Sequence, residues 1–169
     1  MKLTSALAGL AIVIFSSISS ASGDHAGGHS PADAVGIAGK PENVTRTIAI
    51  DMWDTMRFTP ATIKVRQNET IKFIVRNRGK VPHEMVLGTD KELKEHYEVM
   101  KKHPEMEHAD ENMVTVPPGK TGEIIWHFTK AGTVDFACLL PGHYEAGMKG
   151  TVKVDTKSGK RGSGAQHKH

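Results

Sequence analysis

The sequence predicts an all-β fold: an antiparallel two-sheet Greek-key sandwich of about eight strands with one inserted helix. Three observations predict it. Short segments alternate apolar and polar residues at the two-residue period of a strand, turn-forming residues interrupt them at close intervals, and a single segment carries helical periodicity instead.

Along the chain, Val44, Ile48, Ile50 and Met52 alternate with polar or small residues. Ile63 and Val65 do the same before the turn-like Gln67-Asn68-Glu69. Ile71, Phe73 and Val75 alternate up to Asn77-Arg78-Gly79, a second turn signal. Met85 to Leu87 and Met113 to Val116 are short apolar runs, the latter stopped by Pro117-Pro118-Gly119. Ile124 to Phe128, Val134 to Leu140 and Met148 to Val154 complete the set. Between the two short runs, Asp90 to Lys102 places Leu93, Tyr97 and Met100 on one helical stripe, with Asp90 as the expected N-cap. Short strands with turns of this kind pack as two sheets around one core.

The ends of the chain read differently. Lys2 followed by the apolar Leu3 to Phe15 and a small-residue tract has the form of a secretory signal peptide over residues 1–21, too short for a comfortable membrane span. Residues 22–43 are rich in Gly, Ala, Ser and His and read as a flexible arm, and residues 156–169 as a disordered basic tail. The domain is then residues 44–155. Export and small size point to a bacterial periplasm, with no membrane span after signal cleavage, and no extended apolar face argues against a monomer.

Composition narrows the chemistry. One Cys among 169 residues excludes an intramolecular disulfide and any zinc site built on two or more thiolates. Lys and Arg number 22 against 19 for Asp and Glu, too balanced for a nucleic-acid binder that neutralises many phosphates. Ten His and eight Met are the unusual feature, and they direct attention to metals.

That Cys lies in Cys138-Leu139-Leu140-Pro141-Gly142-His143-Tyr144-Glu145-Ala146-Gly147-Met148, a loop between two strand patterns. A thiolate, an imidazole and a thioether so close together select copper over the hard ions that want oxygen ligands. A trigonal site needs a second imidazole. His83 is the best candidate, because Val81-Pro82-His83 sits where a loop enters a strand and Pro82 fixes the backbone approach. The structural alternative is that Cys138 and Met148 are core fillers and His83 a surface loop residue.

These residues resemble the cupredoxins, the small type 1 copper proteins. The resemblance runs from Val44 to Asp155 through Phe58-Thr59-Pro60, Ile63-Lys64-Val65, Glu69-Thr70-Ile71, the Asn77 to His83 stretch and the Cys-His-Met loop. Within that family the chain is most similar to the CopI-type periplasmic cupredoxins linked to copper tolerance. The resemblance implies one type 1 copper, with His83, Cys138 and His143 in the trigonal plane and Met148 as the long axial ligand. Many cupredoxins carry Asn after the first ligand His and Ser or Thr after the Cys, a pair that tethers the two ligand loops. Glu84 and Leu139 stand there instead. The usual tether is therefore absent and the centre is expected to be distorted, green rather than blue.

Two further copper sites are candidates. Met100, His103, Met106, His108 and Met113 would form an accessory site for Cu(I), the alternative being packing by Met100 and Met113. In the arm, Gly23-Asp24-His25 would bind Cu(II) if cleavage fell after Ser22, with His29 nearby. His127 and His96 are expected on solvent faces. Three functions fit a type 1 site: copper tolerance by binding and redox handling of copper, diffusible electron transfer to a respiratory or denitrification partner, and cuprous oxidase activity. An electron carrier would present an apolar patch around His143, with Leu139, Leu140 and Pro141 as candidates. No cluster able to reduce oxygen by four electrons is legible, which argues against an autonomous multicopper oxidase.

Overall fold

The computed structural model describes residues 36–103 and 110–156. In chain order its elements are β1 (Ile37–Ala38), β2 (Arg46–Trp53), β3 (Arg57–Thr59), β4 (Thr62–Arg66), β5 (Thr70–Asn77), β6 (His83–Gly88), α1 (Asp90–Lys102), β7 (Met113–Val116), β8 (Thr121–His127), β9 (Gly132–Ala137) and β10 (Lys149–Asp155), with a 3-10 turn at Pro41–Asn43. The strands form two five-stranded sheets, ordered β1-β8-β5-β2-β3 and β4-β10-β9-β6-β7. Their inner faces bury Ile50, Phe73, Val75, Trp126, Phe136 and Val152 in one core.

The sandwich and its helix agree with the sequence; Arg57–Thr59 adds a short strand that the sequence did not mark, and three other details differ. Neither sheet is purely antiparallel, because β2 pairs with β5 and β4 with β10 in parallel. Ile37–Ala38, assigned to the arm, instead forms β1 against β8. The N-cap of α1 is Thr89 rather than Asp90: its hydroxyl accepts the Glu92 N–H, and the Glu92 carboxylate accepts the Thr89 N–H at 2.7 Å. This reciprocal pair is a capping box, which satisfies donors that a helix start leaves open.

Helix α1 buries Leu93, Tyr97 and Met100, as its periodicity predicts. It packs on β6 and β9 and makes a third layer over the second sheet. All six residues of β6 are consequently buried. Met85 and Leu87 point into the sandwich core, whereas Val86 joins Leu93, Tyr97, Ala137 and Leu139 beneath the helix. A strand covered on both faces reads as a continuous apolar run, which is how Met85 to Leu87 appears in the sequence.

At one end of the first sheet, Asp51 on β2 accepts hydrogen bonds from Arg76 on β5 at 2.6 and 3.0 Å and from Arg78 at 3.1 Å. Burial raises the Asp51 pKa, but the hydrogen bonds and charges of the two arginines outweigh it and hold the group below its ordinary value. Stability from a carboxyl so depressed is present above its unfolded value of about 3.9 and is lost as pH falls through the lower folded value. With both arginines partly solvated, Asp51→Asn is expected to cost about 1 kcal/mol near neutral pH. It should also flatten the acid dependence of stability below about pH 4, which urea denaturation across a pH series measures.

Candidate metal centre

The register of the second sheet assembles the site. Strand β9 lies between β6 and β10, antiparallel to both. Cys138 follows the last residue of β9, His83 opens β6 and Met148 immediately precedes β10, so all three fall at one end of three adjacent strands. The Cys138 N–H donates to the Met148 carbonyl at 3.0 Å, extending the β9–β10 ladder into the site. Cys138, His83 and Met148 are fully buried.

His143 comes from the loop between β9 and β10. Turns closed by His143 N–H to Leu140 O, Ala146 N–H to Gly142 O and Gly147 N–H to Tyr144 O curl this loop back on itself. Gly142 and Gly147 both have φ of 85°, a left-handed conformation that glycine adopts without steric cost. From β3, the Arg57 guanidinium donates to the Ala146 carbonyl at 2.8 Å. From the helix, Tyr97 stacks on Tyr144 with ring centroids 4.8 Å apart.

The result is a compact donor set. His83 Nδ1 and His143 Nδ1 are 3.2 Å apart, and Cys138 Sγ lies 3.2 Å from His143 Nδ1. All three ligating atoms fall within 4.8 Å of one another. Imidazole and thiolate bonds to a metal such as zinc run about 2.0–2.3 Å, so three donors around one ion stand on the order of 3.5–4 Å apart. The observed set fits a single ion. Two imidazoles and a thiolate are also the trigonal donors of a type 1 copper site.

Burial shapes the electrostatics. It pushes the Cys138 thiol up to about 12, against the opposing hydrogen bonds from the Glu84 and Leu140 N–H groups. A metal must therefore displace a proton from this sulfur. Burial, then the adjacent His83, lowers the His143 pKa despite Asp54, which favours the neutral ring.

The usual tether is absent, as expected, but a different one ties the two ligand segments. Glu84 is buried, and its Oε1 accepts the Leu139 N–H at 2.8 Å, while its own N–H points to Cys138 Sγ at 3.5 Å. A carboxyl thus bridges the His83 strand and the Cys138 loop in place of the usual amide and hydroxyl, and a distorted centre no longer follows from an untied loop. Burial raises the Glu84 pKa, with the Leu139 hydrogen bond opposing it.

Other expectations sort by position. Leu139 is fully buried and offers no surface, whereas Leu140 is partly buried and Pro141 exposed. Of the accessory set, Met100 is buried, Met113 packs partly buried against the helix-side cluster, and His103 is exposed at the end of α1. Met106 and His108 lie outside the described residues, as do the signal peptide, His25, His29 and most of the basic tail. His127 is partly buried, with Nδ1 2.9 Å from the Thr70 hydroxyl. One supporting residue was not singled out from sequence. Asn77, 1% exposed, donates to the Val81 and Val116 carbonyls and accepts the Gly79 N–H, shaping the turn that leads to His83. Its signal was the Asn-x-Gly pattern after a strand.

Comparison with known proteins agrees with this geometry. The family model for copper binding proteins of the plastocyanin/azurin family matches residues 44–155. The chain belongs to that family of copper-binding proteins. More particularly, it is 52% identical over 132 residues to the copper-resistant cuproprotein CopI of Rubrivivax gelatinosus, covering 77% of this chain and 80% of the relative. The CopI proteins of Vibrio cholerae and Pseudomonas aeruginosa are 35% and 33% identical, covering 71% and 72% of this chain and 72% and 82% of theirs. Among solved structures, auracyanin B superposes with a TM-score of 0.60 at 23% identity, over 73% of this chain and 99% of that one, a likeness of fold.

Glu84→Ala would leave the buried Leu139 N–H without its partner. The expected loss is about 1–3 kcal/mol of stability in the metal-free protein, read by denaturant unfolding.

Proposed function

We propose that this protein confers copper tolerance by binding copper and handling its redox state through a type 1 site. His83, Cys138, His143 and Met148 would hold the copper, through two imidazole nitrogens, a thiolate and a thioether. The observation that carries the reading is the convergence of the three donor atoms within 4.8 Å at the end of a rigid sandwich. Kinship with copper-resistant cuproproteins over most of the chain supports the physiological half of it. Copper bound there supplies one-electron chemistry. The protein's part is to hold a soft sulfur and two imidazoles in one arrangement, which limits rearrangement between oxidation states. Export to the periplasm rests on the N-terminal apolar run and its small-residue tract.

Electron transfer to a partner is the second reading, favoured by one observation. Among the four proposed ligands His143 alone is not fully buried, and Pro141 beside it is exposed. An electron would enter or leave there.

Growth of a Cys138→Ala strain across a copper series tests the first reading. Its tolerance should fall toward that of a deletion strain while respiration at ordinary copper stays intact. Wild-type tolerance in that strain would remove the site from tolerance, and a respiratory defect at ordinary copper would favour the second reading.

A further inference from the structure

His83 has a second nitrogen, and its surroundings assign work to a residue outside the ligand set. Nδ1 faces His143 and the donor cluster, whereas Nε2 lies 3.1 Å from Asp54 Oδ1. Asp54 is the first residue after β2, in the turn toward β3. Its other oxygen, Oδ2, accepts the Lys80 N–H at 2.8 Å, and Oδ1 lies 3.5 Å from the Val81 N–H. The carboxylate is thus seated in the turn before His83.

That turn is shaped to receive it. A Cβ on Gly79 would stand 1.8 Å from Asp54 Oδ1, so any side chain there would occupy the carboxylate's place. The Gly79 N–H is held by Asn77 Oδ1, and the Asn77 amide donates to the Val81 carbonyl, which holds the turn from both sides. Farther out, Asp51 ties Arg78 to the end of β2, so the segments carrying Asp54 and Gly79 are clamped together.

A neutral imidazole carries one N–H and one lone pair. If Nδ1 is to offer its lone pair to copper, the proton must reside on Nε2, and an ionised carboxylate can only accept. Outer partners of this kind fix the tautomer of a metal-bound His and raise its basicity.

We propose that Asp54 is a positioning residue for the copper centre: by accepting the Nε2–H of His83 it holds Nδ1 as the donor, and its negative charge favours the oxidised ion. This rests on His83 being a ligand, as proposed above. The charge acts more on Cu(II) than on Cu(I), so its removal weakens the oxidised complex more. A tenfold greater loss for Cu(II) raises the reduction potential by about 59 mV.

The test uses two readouts on the full-length protein. In the copper-free protein, 15N NMR of the His83 ring should show the Nε2–H tautomer in wild type and in Asp54→Asn, whose amide oxygen can still accept. Asp54→Ala should show a mixture with Nδ1–H. After loading with copper, both variants should lose about 10- to 100-fold in Cu(II) affinity, with a raised potential. Gly79→Ala, which displaces the carboxylate without altering it, should move both readouts in the same direction as Asp54→Ala. Thermal unfolding of each variant identifies any that fails to fold, and Asp54→Asn, nearly the same in shape, keeps the question decidable. A wild-type ring protonated on Nδ1, or an unchanged tautomer and potential in folded Asp54→Ala, would overturn the proposal. His83→Ala separates the two readings: if it retains the charge-transfer absorption of copper-thiolate bonding, the ligand assignment fails. If it loses that absorption while Asp54→Ala changes nothing, only the role of Asp54 fails.

Discussion

The position of β9 between β6 and β10 is the constraint on which the site depends. Antiparallel register places Val86 opposite Ala137 and Lys149 opposite Ala137 on the other side. One residue farther along, Cys138 therefore lies level with Met85, two residues from the His83 end of β6, and with Met148, the residue before β10. A slip of one residue would turn the Cys138 side chain from the sandwich core to the helix side, because successive strand residues face opposite ways. The packing of Phe136 and Val134 in the core and of Ala137 under the helix opposes that slip. The hydrophobic pattern that stabilises the sheet is also what aims the sulfur.

Around this frame, elements that look peripheral brace the loop that runs from Cys138 to Met148. The inserted helix covers the outer face of β6 and β9 and reaches the loop through the Tyr97–Tyr144 stack. Such an aromatic pair is worth on the order of 0.5–1.5 kcal/mol beyond its buried area. Arg57 reaches the same loop from β3. The loop is thus held from the helix layer and from the β3 strand, while its two glycines supply the tight turns that let His143 fold back over Cys138.

Much of this was legible in the sequence because it depends on local pattern. Alternation along Val134, Phe136 and Cys138 put the cysteine on a core face, and the helical stripe of Leu93, Tyr97 and Met100 marked the one helix. The parallel pairing of β2 with β5 and of β4 with β10 was not legible, since alternation looks the same whichever way a neighbouring strand runs. Ile37–Ala38 is too short to show a period at all. The Thr89 cap was readable as Thr-x-x-Glu and was displaced by the nearby acidic Asp90. Glu84 and Asp54 escaped for a different reason. Their partners, Leu139 and the Lys80–His83 turn, are close only after folding, and a carboxyl in sequence says nothing of which buried N–H it will meet.

Those two carboxyls flank His83 and differ in environment. Glu84 is buried, so that its charge is disfavoured, and its bond to the Leu139 N–H joins two pieces of backbone. The Asp54 side chain is 40% exposed, and backbone N–H groups and the His83 ring meet its oxygens. Burial of a carboxyl favours a neutral, structural role, whereas partial solvation with several donors favours a charged one. The His83 imidazole, a proposed ligand, therefore stands between a strand whose next residue ties down the Cys138 loop and a partly exposed carboxylate at its far nitrogen. With Cys138 and Met148 sealed in the core, that exposed carboxylate and the partly open His143 are, among the described residues around the proposed centre, the groups that solvent or a partner's charge can reach.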